Sequence, residues 1–465
     1  MALRLSFYGG AGKVTGSNFL IEGARGKVLV DCGIEQGGDF AVEEVYGPFP
    51  YDVKTIDALV VTHAHLDHVG RIPKLVRDGF KGKIIMTSAT RDLSALILLD
   101  SSHILAEEAL RLGREPLYDA SDVEGAFALV ETLEYHTERE IAPGLSAYLR
   151  NTGHILGSAS ARIKDEEGVA VAFSGDIGNS PSPLLPDWEP VRDADALVME
   201  STYGDKVHPD QKDRGQLMLA GMKRAVARGG TILIPAFSIE RTQLMLYELS
   251  NFFADGSLPK TPVFLDSPLA IHVTAVYEKW GMTYFKSETE DEMKREGSIF
   301  EFPFLKQTLS QEESRAIESV PGPKIIIAGA GMSHGGRIGR WETRYLPDPA
   351  TTLFMVGYQA PGTPGRRMME GASSVRLGGV EVKIKAKIEK LEGWSAHADR
   401  DGLLKFAEAS LPQAGGRTKT IFTAHGEPAP ERFLAQRVHD YLGARAIVPE
   451  FGETWEITKD SVKKI

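Results

Sequence analysis

The chain has 465 residues, of which 42% are hydrophobic and 25% charged, a composition that excludes fibrous and largely disordered proteins and predicts two or three globular domains. A single cysteine, Cys32, excludes internal disulfides and thiolate zinc sites. The sequence has no apolar run long enough to span a membrane, and its start, MALRLSFYGG, lacks the basic and then apolar layout of a signal peptide, so a cytoplasmic protein is expected. The formal charge of −11 excludes an overall basic protein, so that any nucleic-acid site needs a locally basic surface.

The first third of the chain alternates short apolar runs with glycine and polar residues, a pattern that predicts strands. The predicted strands lie in LRLSFYGG, SNFLIEG, KVLVDCG, IDALVVT, KIIMTSA, LSAYLRN and VAVAFSGD. Two intervening segments have helical spacing, RDLSALILLDSSHILAEEALR and SDVEGAFALVETL, the second with Ser121 and Asp122 as predicted caps. Strands that end in polar residues, with helices outside them, indicate an α/β fold.

From about Asp205 the pattern changes to longer strand and helix units, beginning with RGGTILIPAF and SIERTQLMLYELSNFF. This alternation predicts a parallel sheet covered on both faces, in a second, Rossmann-like domain. The charged stretch SETEDEMKREGS, which is low in apolar residues, is interpreted as a mobile surface segment. Strand patterns return after PGTPGRR, in VEVKIKAKIEKL and TKTIFTAHGE.

The strongest chemical signal is the run from His63 to His68, HAHLDH, directly after the apolar strand IDALVVT. In an extended segment His63 and His65 point to one side, and the turn that follows brings Asp67 and His68 to a neighbouring point. Imidazole nitrogens and a carboxylate are donors that zinc and similar divalent ions favour. The run therefore predicts a metal site rather than a solvated loop.

Four further residues stand at the ends of predicted strands and are candidate members of the same centre: Asp31, His154, Asp176 and His425. Each by itself is equally well explained as a capping carboxylate or a packed histidine. Together with the HAHLDH run, however, they supply enough donors for two metal ions.

These motifs resemble those of a known family. HAHLDH, GHILGS, SGDIG and VLVDCG are similar to the leading motifs of the metallo-β-lactamase superfamily. MESTYG at Glu200, WSAHAD at His397 and TAHGE at His425 are similar to the additional motifs of its β-CASP branch, the nucleases of RNA processing and DNA repair. The lengths of chain outside the motifs resemble the short bacterial and archaeal ribonuclease type.

The resemblance implies an αβ/βα metallo-β-lactamase sandwich with an inserted Rossmann-like β-CASP domain. Its expected boundaries are residues 1–206 for the first part of the metallo-β-lactamase domain, 207–367 for the β-CASP domain and 368–465 for the C-terminal part of the first domain. The resemblance also implies two Zn²⁺ ions per chain and assigns their ligands. The first ion would be held by His63, His65 and His154, the second by Asp67, His68 and His425, with Asp176 bridging and Asp31 orienting a ligand.

The expected reaction is hydrolysis of a phosphodiester by a metal-activated water, which Asp67 is suited to orient. The family motif implies that His397 is the general acid for the leaving oxygen, held by Glu200 through a hydrogen bond. Packed or capping roles are the competing interpretations of this pair. Ser395 precedes a predicted helix and is interpreted equally as its cap or as a contact to a substrate phosphate.

Four residues of the second domain are further candidates for substrate binding. Ser333 and His334 lie in the glycine-rich segment GAGMSHGGR, which is either a tight turn or a phosphate-binding loop. Arg241 lies near a helix predicted to begin at Ser238. Arg337 belongs to GGRIGRWETRY, which as a helix would place its arginines on one face, either as a solvated surface or as contacts to phosphates.

The leading hypothesis is therefore a zinc-dependent ribonuclease acting on single-stranded RNA, with endonucleolytic and 5′-exonucleolytic action both open, and a homodimer also left open. One alternative is a β-CASP DNA nuclease, but that branch typically has valine where this chain has His425. Another is a small-molecule ester or thioester hydrolase, which has no need of so large an inserted domain. A non-catalytic scaffold is the third, but no expected metal ligand is missing.

Overall fold

The computed structural model describes residues 2–35, 45–208, 214–357, 359, 362–391 and 393–465. The chain divides into two compact units, one made of Met1–Val207 with His397–Ile465 and the other of His208–Ala396. Among the described residues, no helix combines the length and apolar character needed to cross a membrane.

The elements of the described residues, in chain order, are as follows. The strands are β1 (Leu3–Phe7), β2 (Phe19–Glu22), β3 (Lys27–Val30), β4 (Ala58–Val60), β5 (Lys83–Met86), β6 (Val130–Thr132), β7 (Glu138–Ala142), β8 (Leu145–Asn151), β9 (Ala159–Asp165), β10 (Ala170–Phe173), β11 (Ala196–Glu200), β12 (Thr231–Pro235), β13 (Val263–Leu265), β14 (Leu305–Gln307), β15 (Lys324–Ala328), β16 (Thr352–Met355), β17 (Ser374–Leu377), β18 (Val380–Lys383), β19 (Lys387–Lys390), β20 (Thr420–Ala424), β21 (Arg445–Ile447), β22 (Thr454–Ile457) and β23 (Val462–Lys464). The α-helices are α1 (Leu66–Val69), α2 (Ile72–Arg77), α3 (Ser88–Leu112), α4 (Ala120–Phe127), α5 (Arg214–Ala227), α6 (Arg241–Ala254), α7 (Pro268–Tyr284), α8 (Ser287–Glu296), α9 (Gln311–Ala316), α10 (Gly336–Tyr345), α11 (Pro364–Met369), α12 (Arg400–Ser410) and α13 (Pro428–Leu442).

The first unit is a sandwich of two sheets. One has the strand order β23-β22-β1-β2-β3-β4-β5-β6 and the other β21-β20-β11-β10-β9-β8-β7. Phe7 of the first sheet and Phe173 of the second belong to the same buried cluster, so the two sheets pack face to face. Leu75 of α2 and Leu98 of α3 cover the outer face of the first sheet.

The outer face of the second sheet is covered in the same way by α12 and α13. Phe406 of α12 and Leu434 of α13 share a buried cluster with Leu197 of β11. Helices outside two facing sheets give the order αβ/βα, and the fold class predicted from the sequence is confirmed.

The second unit is built on a sheet with the order β14-β13-β15-β12-β16-β19, in which the strand pairs are parallel. Ile338 and Trp341 of α10 pack on one face of it, together with Val375 and Val382 of the β17–β18 hairpin. Parallel strands joined through helices give the Rossmann-like layering that the sequence predicted.

The second unit extends further along the chain than the predicted boundary at residue 367. The strand β19 pairs with β16 from Thr352–Lys387 to Met355–Lys390, and the β17–β18 hairpin adds apolar side chains to the same core. Hydrogen bonds and packing therefore place residues 368–396 with the second unit.

Two local predictions need correction in detail. The stretch SETEDEMKREGS, predicted as a surface segment, lies mostly exposed and forms α8, in which Glu288 and Glu290 in the first turn and Lys294 and Arg295 in the last complement the helix dipole. The N-cap of α4 is Asp119 and not Ser121, whereas Asp122 does take part in capping, because its side chain accepts the backbone N–H of Asp119.

Candidate metal centre

The HAHLDH run leaves the buried strand β4 and turns into the short helix α1. His65 is the N-cap residue of α1, so His63 and His65 are on extended backbone, while Asp67 and His68 are on the helix. His63 and His68 are buried. The change from extended to helical backbone therefore sends the two pairs of side chains to adjacent positions, as the spacing predicted.

One donor group consists of three histidines and one oxygen of Asp176. The Nδ1 atom of His65 lies 3.1 Å from His63 Nε2 and 3.2 Å from His154 Nε2. Oδ2 of Asp176 lies 3.3 Å from the Nε2 atoms of both His63 and His154. Three nitrogens and an oxygen thus lie within 4.8 Å of one another, close enough to hold one divalent metal ion together.

A second donor group faces the other oxygen of the same carboxylate. Oδ1 of Asp176 lies 3.3 Å from His68 Nε2 and 3.5 Å from His425 Nε2. Asp67 Oδ2 lies 3.7 Å from His425 Nε2. Asp176 therefore stands between two groups, with one oxygen toward each.

The donor atoms of the second group fit a cation because they are buried and have no hydrogen-bond partner among the described residues. This is true of His68 Nε2, Asp176 Oδ1 and His425 Nε2. A buried polar atom without a partner destabilises the fold by about 1–3 kcal/mol. A bound divalent cation would satisfy all three, so the residues present fit the metal that the fold family implies.

Asp31 orients His68 within this group. Its Oδ2 atom lies 2.7 Å from His68 Nδ1, and its Oδ1 atom accepts the backbone N–H of Thr62 at 2.7 Å. The Thr62 hydroxyl donates to Asp31 Oδ2 at 2.8 Å. A proton held on His68 Nδ1 leaves the Nε2 lone pair facing Asp176, which is the usual support of a metal-binding imidazole.

A third cluster contains His397 and Glu200. His397 Nδ1 lies 3.3 Å from both carboxylate oxygens of Glu200 and 3.8 Å from Asp176 Oδ2. Glu200 is held by the backbone N–H of Ile177, which donates to Oε1 at 2.6 Å. His397 is therefore oriented at the edge of the first donor group.

The pKa shifts of the candidate histidines run in both directions. Burial lowers the pKa of His425 to about 4 and, with positive neighbours, lowers the pKa of His154 well below its usual value. Burial also lowers the pKa of His68 and of His397, but Asp176 and Asp31 outweigh it at His68 and raise that pKa well above its usual value, and Glu200 and Asp176 raise the pKa of His397 to about 9. The carboxylates beside His397 therefore favour its charged form, which can donate a proton.

The predicted substrate-binding residues all belong to the second unit. Ser333 is buried, with φ of 59°, and donates its hydroxyl to Glu342 Oε1 at 2.5 Å, whereas His334 is exposed. Arg241 is buried and is the first residue of α6, so the helix does not begin at Ser238 as predicted.

For Arg337 and Ser395, the structure disagrees with one of the two roles predicted for each: a solvated surface position for Arg337 and a helix cap for Ser395. Arg337 lies on the predicted helix, but it donates to Asp266 Oδ1 at 2.6 Å and to the carbonyl of Leu309 at 2.6 Å. It is therefore part of an internal ion pair. Ser395 does not cap α12, because Asp399 is its N-cap and accepts the N–H of Gly402.

Sequence reasoning did not identify Ser17 and Thr62, which contact candidate ligands, or Glu431, which holds the backbone of Gly12. Thr62 adjoins His63, so the motif itself was a signal for it. Ser17 and Glu431 lie in GKVTGSN and GEPAPE, which carry no recognisable pattern of their own.

Family models match three parts of the chain. The metallo-β-lactamase superfamily matches residues 11–211, the Beta-Casp domain 242–368 and the Zn-dependent metallo-hydrolase RNA specificity domain 381–449. The chain belongs to the metallo-β-lactamase superfamily, in its β-CASP branch of RNA-processing nucleases, and is a metal-dependent hydrolase of that class.

Relatives of known name cover nearly the whole chain. Ribonuclease TTHA0252 of Thermus thermophilus is 35% identical over 97% of this chain and 99% of its own length. Transcription termination factor FttA of Methanosarcina mazei is 31% identical over 95% of this chain and 69% of its own. The RNase J-like protein of Methanocaldococcus jannaschii is 30% identical over 96% of this chain and 98% of its own length.

Among solved structures, a protein of unknown function from Enterococcus faecalis V583 shares the fold. It has a TM-score of 0.55 at 12% identity, over 98% of this chain and 99% of that one. At this identity the likeness supports the fold alone.

Proposed function

We propose that the protein is a zinc-dependent ribonuclease that hydrolyses phosphodiester bonds of single-stranded RNA with two metal ions. The observation that carries the proposal is the position of Asp176, whose two oxygens face two separate donor groups. Histidine nitrogens with carboxylate oxygens, and no thiolate, are a donor set that zinc accepts. Asp176 would bridge, with the remaining ligands divided as the sequence resemblance implies.

Two metal ions, when bound, polarise the phosphodiester and make a water acidic enough to act as nucleophile near neutral pH. Asp67, half-buried at the second donor group, would orient that water by accepting a hydrogen bond from it. His397, protonated near pH 7, would donate its proton to the leaving oxygen. Glu200 holds the ring of His397 and favours its charged form.

RNA as the substrate is supported by the named ribonuclease relative and by the match to an RNA specificity domain over residues 381–449. His425 lies within this match and favours RNA over DNA as the family resemblance implies. We further assign RNA contacts to His334, exposed at the start of α10, and to Ser395. Arg337 is left out because its donors are already used within the second unit.

The test is an assay of purified, zinc-loaded protein on single-stranded RNA, labelled at the 5′ end or internally. The same sequence as DNA and an RNA duplex serve as controls, with a simple ester as the small-molecule alternative. We expect cleavage of single-stranded RNA that is lost on chelation and restored by zinc. Cleavage of DNA at an equal rate would favour the DNA nuclease, and turnover of the ester alone would contradict both assignments.

A further inference from the structure

Ser17, which no motif indicated, contacts the metal-ligand candidate His425 directly. Ser17 is fully buried, and its Oγ atom lies 2.8 Å from His425 Nδ1. On the other side of the ring, His425 Nε2 faces Asp67 and Asp176. A proton on Nδ1 that is donated to the serine hydroxyl therefore leaves the Nε2 lone pair facing the donor group.

Ser17 also fixes the segment that carries Asp67. The backbone N–H of Ser17 donates to the Asp67 carbonyl at 2.9 Å, and the carbonyl of Ser17 accepts the N–H of Gly33 at 2.9 Å. The residue thus joins two candidate ligands of the second donor group, Asp67 through its main chain and His425 through its side chain. Among the described residues, Ser17 makes no hydrogen bond to the histidines of the first donor group.

The backbone of His425 is in a conformation that is uncommon for a non-glycine residue. Its φ of 50° is in the left-handed region, which a non-glycine residue adopts only where the surroundings determine it. The N–H of His425 donates to the Gly10 carbonyl at 2.5 Å, and its carbonyl accepts the hydroxyl of Thr202 at 3.2 Å. These contacts hold the main chain, whereas the Ser17 hydroxyl contacts the Nδ1 atom of the ring itself.

Glu431 holds the loop that Gly10 belongs to. It is fully buried on α13, and its two carboxylate oxygens accept the N–H of Gly12 at 3.0 and 3.2 Å. The glycine loop before Ser17 is thereby tied to the helix that follows His425. The residues that contact His425, Gly10 and Ser17, therefore flank a loop that α13 holds in place through Glu431.

We propose that Ser17 is the positioning residue of the second metal ion, acting on His425 as Asp31 acts on His68, with Glu431 holding the loop beside it. This inference rests on the proposed two-metal function. Its consequence is selective, because removing the Ser17 hydroxyl should weaken one ion and leave the other. Loss of a partner of this kind typically weakens metal binding by about 10- to 100-fold.

The test is a zinc titration of the Ser17→Ala variant against a competing chelator, with elemental analysis of bound metal at each step. The matched control is Ser6→Ala, which removes an equally buried serine hydroxyl of β1 that pairs with Thr454. We expect two zinc ions in wild type and control, and one ion bound about 10- to 100-fold more weakly in Ser17→Ala. Unchanged affinity for both ions, or equal weakening of both, would overturn the inference.

A second variant keeps the test decisive if Ser17→Ala fails to fold. Glu431→Gln has one acceptor oxygen fewer for the N–H of Gly12, so the ion at the second donor group should bind several-fold more weakly. Unchanged zinc binding in this variant would contradict the role of Glu431 in holding the loop. Neither readout needs RNA. A wild-type protein that binds one zinc ion per chain would instead contradict the proposed two-metal function itself.

Discussion

The Nδ1 atom of His397 lies 3.3 Å from both carboxylate oxygens of Glu200, although the whole second unit separates these two residues in sequence. Glu200 is fully buried in the side chain, and the ring of His397 is partly open. A buried anion that holds a partly accessible, protonated imidazole is the arrangement expected of a general acid.

His397→Ala should retain bound zinc and RNA affinity but lose turnover by roughly 10² to 10⁴. The reason is that the leaving oxygen would depart without a proton. A phosphodiester with a good leaving group should recover much of the loss, which steady-state kinetics on both substrates would measure. An equal loss on the two substrates would indicate that His397 positions the substrate instead.

Asp176→Ala should lower bound zinc at both sites, because one carboxylate faces both donor groups at 3.3 to 3.5 Å. Elemental analysis of the purified variant measures this. His136→Ala is the control, since His136 is an exposed histidine paired with Glu189. Wild-type zinc content in Asp176→Ala would rule out a bridging role.

Gly33→Ala should disturb the second donor group alone. A Cβ atom at Gly33 would lie 1.6 Å from the carbonyl oxygen of Asp67, so α1 and its ligands must shift. Bound zinc should fall from two ions toward one. Gly125→Ala in α4 is the control, because a Cβ atom there meets nothing within 4 Å; the prediction fails if both variants keep two ions.

Arg337→Gln should destabilise the second unit by about 3 kcal/mol, because it removes the cation from the buried carboxylate of Asp266. Thermal or urea unfolding would show this. Arg344→Gln, on the exposed side of the same helix, should change stability by less than about 0.5 kcal/mol. If Arg344 contacts RNA, Arg344→Gln should also make the slope of log affinity for RNA against log salt concentration shallower by about 0.7 per lost phosphate contact. A shallower slope in Arg337→Gln, with stability unchanged, would contradict the internal role of Arg337.

Glu342 should make stability depend on pH. Burial raises the pKa of its carboxyl from 4.5 to about 8, against a lowering effect of the Ser333 hydroxyl. Between those values the unfolded chain has released a proton that the folded chain keeps, so stability falls as the pH rises, by on the order of 4 kcal/mol. Glu342→Gln should remove this part of the slope in thermal unfolding measured across that range, whereas Glu296→Gln, at an exposed site, should retain it.

The sequence by itself determined the fold class and the donor residues of the candidate centre. Short apolar runs predicted the strands of both units, and polar residues at strand ends are brought to one edge by the pairing of those strands. For this reason His63, His65, Asp67 and His68 were found from their spacing alone. Family motifs added the roles expected of Glu200 and His397, which spacing could not supply.

Tertiary structure decided which groups support these donors. Ser17 and His425 are 408 positions apart, and neither segment has a pattern that predicts their contact. The sequence suggested Arg337 as a phosphate-binding residue, but in the folded chain its guanidinium pairs with Asp266, which is 71 positions away. Hydrogen bonds between distant segments depend on the packing of whole sheets and helices, whereas local periodicity reports only which face of one element is buried.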